Sequence, residues 1–397
     1  MEMICKELQK KGVDSWIVYD YGSNNPVFKE LVGNYHLTRK CFLVIKSSGE
    51  SVLILHSIDS GVVEQKGLAY EASILKYNRW VELIELLKDI IKPGSRVLME
   101  ISENGLLPRV SYVDYGTVKL IESFGCFVES SADIFQMIVS KMSQKSYELH
   151  CKAALTVTKI KDETFEFIFS SISQNGKISE YEAQQYIMKR FKEEGMITDS
   201  PPIVAIAENA ANPHYEPSLN DTAFIHKGDL ILMDLWAKYD VEDAVFGDIT
   251  WMGYVGEDIP QRYQDVFDLV KRAADSAIHY LEENITKKRV MGFEVDDVCR
   301  AVIEDEGFGK YFTHRTGHSL SVGDSDHGTG ANIDNYETHD TRELIDGVGF
   351  SIEPGIYIPG ELGVREESNV CIWNNKVVVT TPRQDTILRP SDYNIIL

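Results

Sequence analysis

Over the first third of the chain, short apolar runs alternate with amphipathic stretches. WIVY at 16–19, FLVIK at 42–46, SVLIL at 51–55 and RVLME at 96–100 read as strands, because brief apolar runs rich in branched residues suit a pleated, buried surface. WVELIELLKDIIK at 80–92 instead spaces its apolar residues three and four apart, which is one face of a helix. The alternation of the two patterns predicts an α/β domain. From 136 to 150 the sequence turns polar, QMIVSKMSQKSYELH, and a helical pattern follows from 146 to 172. A domain boundary is therefore expected near 138, giving domains 1–138 and 139–397.

The second part opens differently. Ser179 and Glu182 have the spacing of a capping box, in which each side chain satisfies a free amide at a helix start, and they introduce the helix EYEAQQYIMKRFKEEG. Two more helices are expected at 260–285 and 295–307. Extended segments lie around them: PIVAIA at 202–207, DLILMD at 229–234, DITWMGYV at 248–255, FSIE at 350–353 and NVCIW at 369–373. Strands joined by short connections form an antiparallel sheet, here backed by helices, so this part is expected to be α+β.

Composition narrows the function. With 43% apolar and 26% charged residues in 397, the chain can bury a large core and is not disordered. Forty basic against 62 acidic residues leave a net charge of −22, which repels a phosphate backbone and an anionic membrane alike. Neither nucleic acid nor membrane is expected as a partner. Residues 1–140 have a net charge of −3, and 141–397 have −19. The six cysteines, at 5, 41, 126, 151, 299 and 371, form no C-x-x-C pair, which argues against a disulfide framework or zinc knuckle. The start lacks an apolar signal-peptide core and no run of 18 apolar residues occurs. A cytoplasmic protein is expected.

The acidic second part contains one unusual cluster. Three of the ten histidines, His314, His318 and His327, fall within 14 residues, in the glycine-rich string YFTHRTGHSLSVGDSDHGTG. Small residues let backbone approach a ligand and leave imidazoles accessible to it. Asp234 ends the run DLILMD and Asp248 begins DITWMGYV, so a hairpin would bring both to the same end of a sheet. Glu353 stands in FSIEPG where an apolar residue is expected, and an unpaired anion buried there would cost several kcal/mol. Glu367 precedes the strand NVCIW. Singly, each carboxylate reads as a solvated side chain. Four at strand ends, with a histidine cluster, describe an oxygen-rich site for divalent cations.

These residues carry a family resemblance. DLW with Asp234, GDIT with Asp248, HRTGH with His318, SIEPG with Glu353 and GVREE with Glu367 resemble, in this order, the metallopeptidases of the pita-bread fold, closest to the Xaa-Pro aminopeptidases and proline dipeptidases (prolidases). The resemblance is strong over 200–375 and extends to the helical entry KMSQKSYELHCKAA at 141–154; over the N-terminal domain it is one of layout. It implies a C-terminal pita-bread catalytic domain behind a creatinase-like N-terminal domain. Two departures lie in loops, where insertions are tolerated. Asp234 and Asp248 are 14 apart, wider than the family spacing, and so is the interval from His318 to His327.

By the family pattern, Asp234 would bind one metal ion, His318 and Glu353 a second, with Asp248 and Glu367 bridging both. The reaction implied is hydrolysis of the bond between an N-terminal residue and proline by a hydroxide that the two metals activate. Manganese suits the ligand set, and cobalt or zinc would fit. Glu353 would shuttle the proton, His327 and His214 would contact the carbonyl or leaving group, and His314 and Arg365 would line the proline side. For Arg365, an ion pair with Glu361, Glu366 or Glu367 is an equal alternative. A Ser319–His318 nucleophilic pair is set aside, since adjacency in sequence says little about geometry. The competing readings are a creatinase-like hydrolase or lyase acting on a small non-peptide substrate, and a binding module that has lost catalysis. The extra domain speaks against a methionine aminopeptidase, and a homodimer is expected.

Overall fold

A computed structural model describes residues 2–213 and 215–397. The chain forms two compact units, Met1–Val139 and Ser140–Leu397.

In the first unit, strands β1 Ser15–Asp20, β2 Cys41–Lys46, β3 Ser51–His56, β4 Ser73–Tyr77, β5 Arg96–Met99 and β6 Phe127–Ser130 form one sheet in the order β4-β3-β2-β1-β5-β6. The centre, β1-β2-β3, is antiparallel and the flanking pairs are parallel. The β2–β3 connection is a tight turn through Gly49 at φ 96°, too short for the crossover that parallel pairing needs. Helices α1 Glu2–Lys11, α2 Pro26–Val32 and α6 Ala132–Val139 cover one face, packing on Trp16, Val18, Leu43 and Leu53. Helices α4 Trp80–Ile90 and α5 Tyr115–Glu122 cover the other, packing on Ile17, Phe42, Val44 and Ile54. Helix α3 Ser57–Lys66 follows β3. Burial on both faces explains why these strands read as continuous apolar runs. Glu100, just after β5, is fully buried and accepts hydrogen bonds from Trp16 Nε1 (2.6 Å), Asn25 Nδ2 (2.9 Å) and Ser131 Oγ (3.1 Å).

The second unit begins with α7 Gln144–Asn175, capped by Ser143 Oγ and ended by Gly176 in the left-handed region. Ser179 and Glu182 form the expected capping box of α8 Glu180–Glu193. β7 Ile178–Ser179 pairs with β10 Phe224–Ile225. β11 Leu230–Tyr239 and β12 Gly247–Tyr254 form a long antiparallel hairpin, and β8 Met196–Ile197 and β9 Ile203–Ile206 pair with β11. A short helix, α9 Ala207–Ala210, follows β9, while α10 Gln261–Asn284 and α11 Gly292–Asp305 follow the hairpin. A second antiparallel sheet has the order β13-β14-β17-β18, with β13 Ser319–Leu320, β14 Gly349–Ile352, β17 Ser368–Trp373 and β18 Lys376–Val379. Between its strands lies the hairpin of β15 Gly355–Ile358 and β16 Leu362–Arg365.

Two cores divide the β11–β12 hairpin by strict alternation. Ile231, Met233, Leu235, Ala237, Ile249 and Trp251 pack with the apolar face of α7. Leu230, Leu232, Trp236, Met252 and Tyr254 pack in the core built by α10 and α11. Contact with α7 is close: a Cβ at Gly247 would fall 2.6 Å from the Ala154 amide nitrogen. None of the described helices is long and apolar enough to cross a membrane.

Glu100 gives the first unit a pH signature. Burial outweighs its hydrogen bonds and pushes its carboxyl up to about 7. A folded value above the unfolded one, about 4.3, means a stability contribution that is complete below about pH 4.3 and lost as pH rises through about 7. Glu100→Gln is expected to flatten the fall in denaturation midpoint over that interval. Parallel pH profiles for the two proteins would show that Glu100 contributes no such dependence.

Candidate functional site

Asp234 and Asp248 stand on adjacent strands of the long hairpin. Asp234 is opposite Thr250, and Trp236 is opposite Asp248. Opposed residues share a face, so all four side chains project from the same side as Leu232 and Met252. The sequence reading ends the strand at Asp234, but β11 continues to Tyr239 and Asp234 is the fifth of its ten residues. An aspartate is accommodated there because Arg365 Nη2 forms an ion pair with its Oδ2, and the Thr250 hydroxyl lies 3.0 Å from its Oδ1. Part of the wide interval between the two aspartates is strand, since β11 runs on to Tyr239, and 240–246 form the connecting loop. In that loop Asp240 and Glu242 are exposed, and Asp243 pairs with Lys145 at 2.9 Å.

The register of the second sheet brings in the other three residues. Ile352 pairs with Ser368, which makes Glu353 and Glu367 the next opposed positions at that end of β14 and β17. His318 precedes β13, where its backbone nitrogen donates to Ser351 Oγ at 2.9 Å and its carbonyl accepts from the Ser351 nitrogen at 2.9 Å. Ser351 Oγ in turn lies 3.0 Å from Glu353 Oε1. Gly317 permits this approach, since any Cβ there would collide with the Ser351 carbonyl. Hydrogen bonds join this sheet to the hairpin: Asp248 N donates to Asn369 Oδ1 at 2.9 Å, and Glu367 N donates to the Thr250 carbonyl at 3.3 Å.

All five side chains line one cavity of about 440 Å³. His318 Nε2 lies 3.4 Å from Asp248 Oδ2 and 3.6 Å from Glu353 Oε1. One donor atom each from Asp248, His318 and Glu367 lies within 4.8 Å of the others. Burial, followed by repulsion from neighbouring carboxylates, raises Asp248 and Glu367 well above the usual carboxylate range. Burial raises Asp234 too, against the pull of Arg365. Burial also opposes charge on Glu353, but the imidazoles of His318 and His314 and the Arg365 guanidinium outweigh it and hold this carboxyl low.

Acceptors exceed donors in this cluster. Glu367 Oε1 is buried with no hydrogen-bond partner among the described residues. The Thr250 hydroxyl lies 3.0 Å from Asp234 Oδ1 and 2.8 Å from Glu367 Oε2, yet it has a single proton to offer. His318 Nδ1 lies 3.3 Å from the Ser319 carbonyl, a contact that turns Nε2 toward the carboxylates. Buried oxygens facing one another beside an imidazole nitrogen fit hard divalent cations.

The remaining residues singled out by sequence lie around the same cavity. His327 stacks on His318 with ring centroids 4.0 Å apart, and its Nδ1 is 2.9 Å from Asp326 Oδ2. His314 bonds the Arg315 carbonyl (2.7 Å) and the Tyr357 hydroxyl (2.9 Å), and burial lowers its pKa to about 4, so the ring is neutral at pH 7. Arg365 donates to Asp234, Thr250 Oγ1 and Tyr357 OH, rather than pairing with Glu361, Glu366 or Glu367. His214 lies outside the described residues; its neighbours Pro213 and Tyr215 line the cavity. Sequence reasoning overlooked Thr250, Ser351 and Asp326. Thr250 was findable, because two residues beyond Asp248 on a strand is the same face. Ser351 and Asp326 had no comparable signal.

Comparison with known proteins identifies the family of this chain. Residues 143–374 match the model of metallopeptidase family M24. An uncharacterised peptidase of Staphylococcus saprophyticus is 26% identical over 380 residues, covering 94% of this chain and 97% of its own. The Xaa-Pro dipeptidase of Lactobacillus delbrueckii subsp. lactis is 31% identical over 203 residues, 51% of this chain and 49% of the relative. A dipeptidase structure from Pyrococcus horikoshii OT3 matches with a TM-score of 0.61 at 26% identity, over 98% of this chain and 99% of its own. With a family match that spans more than half its length, the chain belongs to metallopeptidase family M24, the metal-dependent peptidases of the pita-bread fold.

Proposed function

We propose that the protein is a proline-directed exopeptidase, hydrolysing the bond between an N-terminal residue and proline in dipeptides or at the start of longer peptides. The observation that carries this reading is the convergence of Asp234, Asp248, His318, Glu353 and Glu367 on one cavity. A volume of about 440 Å³ suits one or two residues, as an exopeptidase requires, and Pro201, Ile203, Pro213, Tyr215 and Trp236 offer apolar walls. The similarity to a Lactobacillus Xaa-Pro dipeptidase supports proline at the second position.

In this reading Asp234 would hold one divalent ion, His318 and Glu353 would hold a second, and Asp248 and Glu367 would serve both. Four carboxylates balance two such ions, and the oxygen-rich set with one imidazole favours manganese over cobalt or zinc. When bound, the ions would polarise the scissile carbonyl and acidify the attacking water. The nitrogen of an Xaa-Pro bond must gain a proton to leave as a secondary amine, so a carboxyl within reach of both water and nitrogen is needed. Glu353 is the most open of the five, with 13% of its side chain exposed. Ser351 engages its Oε1, and we assign the proton transfer to Oε2. His327 and His214 take the polar groups around the bond, and His314 and Arg365 form the proline side. The reading also takes the protein as a cytoplasmic homodimer.

Chelation should abolish peptidase activity and lower the melting temperature, and manganese should restore both, because an ion that binds only the folded state stabilises it by mass action. His318→Ala should lose at least one ion per chain by elemental analysis, with activity falling beyond the roughly 10²- to 10³-fold that a single lost hydrogen-bond donor costs. A variant with full metal content would remove His318 from the ligand set. Against a panel of dipeptides, Xaa-Pro substrates should exceed their Xaa-Ala counterparts in kcat/KM by about 10-fold or more. Equal rates would leave a peptidase without proline preference.

A further inference from the structure

The loop that carries His327 departs from the family pattern, and its geometry is unusually determined. Asp326 is 9% exposed. Its Oδ2 lies 2.9 Å from His327 Nδ1, and its Oδ1 accepts from Ser325 Oγ at 3.1 Å. The Asp326 nitrogen donates to Asp199 Oδ2 at 3.3 Å, and Asp199 Oδ1 accepts from Trp236 Nε1 at 2.7 Å. Trp236 is opposite Asp248 in the hairpin. A second tie runs from Lys238 Nζ, also on β11, to the Gly323 carbonyl. The loop is thus fastened to β11 at two points, and its aspartate is held before it meets the imidazole.

We propose that Asp326 is a positioning residue for His327: it keeps a proton on Nδ1 and thereby presents Nε2 as the working nitrogen to the substrate. An ionised carboxylate accepts and cannot donate, so a bond between it and Nδ1 requires that Nδ1 carry hydrogen in either charge state of the ring. Stacking on His318 fixes the plane of the imidazole, and the Asp326 bond fixes its rotation within that plane. Asp199 acts one step further out, by holding the Asp326 backbone to Trp236. This inference rests on the peptidase reading for what Nε2 does, but not for which nitrogen is protonated.

The test has two arms. Nitrogen-15 NMR of the zinc-loaded, histidine-labelled protein, with His327 assigned by its loss in His327→Ala, should show Nδ1 protonated. Asp326→Ala should move His327 to the Nε2–H form usual for imidazole in water. An Nε2–H tautomer in the unmodified protein overturns the proposal without any variant. Kinetically, Asp326→Ala should lower kcat by about 10-fold or more with KM and metal content unchanged, and should add less than about 2-fold in a His327→Ala background. Independent, multiplicative losses would mean that Asp326 acts other than through His327. A lost ion would overturn the proposal in favour of ligation, because donor atoms of His318, Asp326 and His327 lie within 4.8 Å of one another. If no Xaa-Pro peptide is hydrolysed, the functional reading fails, and the tautomer measurement still decides the role of Asp326.

Discussion

Mutual repulsion among buried carboxylates is the constraint on which the catalytic unit depends. Two like charges about 4 Å apart interact by about 4 kcal/mol at an effective dielectric constant of about 20, and here Asp234, Asp248, Glu353 and Glu367 share one small cavity. The chain supplies partial relief from within. Arg365 neutralises Asp234, His318 faces Asp248 and Glu353, and Thr250 offers one proton to two carboxylates. Burial and the neighbouring carboxylates still raise Asp248 and Glu367 well above the usual carboxylate range. Cations held at this point would turn the repulsion into attraction, which ties the stability of the unit to the chemistry we propose for it.

Such a cluster needs a scaffold that cannot relax away from it. β11 and β12 are covered on both faces, so a shift of one residue would exchange the α7 layer for the α10–α11 layer along the whole hairpin. Gly247 against Ala154 and Gly317 against Ser351 bring the elements too close for any larger residue. The Asn369 side chain and the Glu367 backbone then lock the second sheet to the hairpin. The same period-two pattern that builds the core therefore decides which side chains face the cavity.

Much of this was legible from periodicity. The capping box at Ser179 and the hairpin of Asp234 and Asp248 are local signals with structural counterparts, while Glu353, read as a strand residue, stands just beyond β14 and faces the cavity. What failed depended on partners distant in sequence. β11 runs through Asp234 because its charge is met by Arg365, 131 residues away. Arg365 turned to Asp234, rather than to its acidic neighbours in sequence, because sheet register overrides adjacency. Asp326 gave no signal, since its significance lies in a bond to the next residue and in Asp199, 127 residues earlier.

The central claim is that the five converging side chains hold two divalent cations. Anomalous diffraction at the manganese edge, from crystals of the manganese-loaded protein, tests it most directly. The account predicts two peaks in the cavity, one beside Asp234, one beside His318 and Glu353, and Asp248 and Glu367 in contact with both. A single peak, or peaks on His327 and Asp326 in place of Asp248 and Glu367, would contradict it.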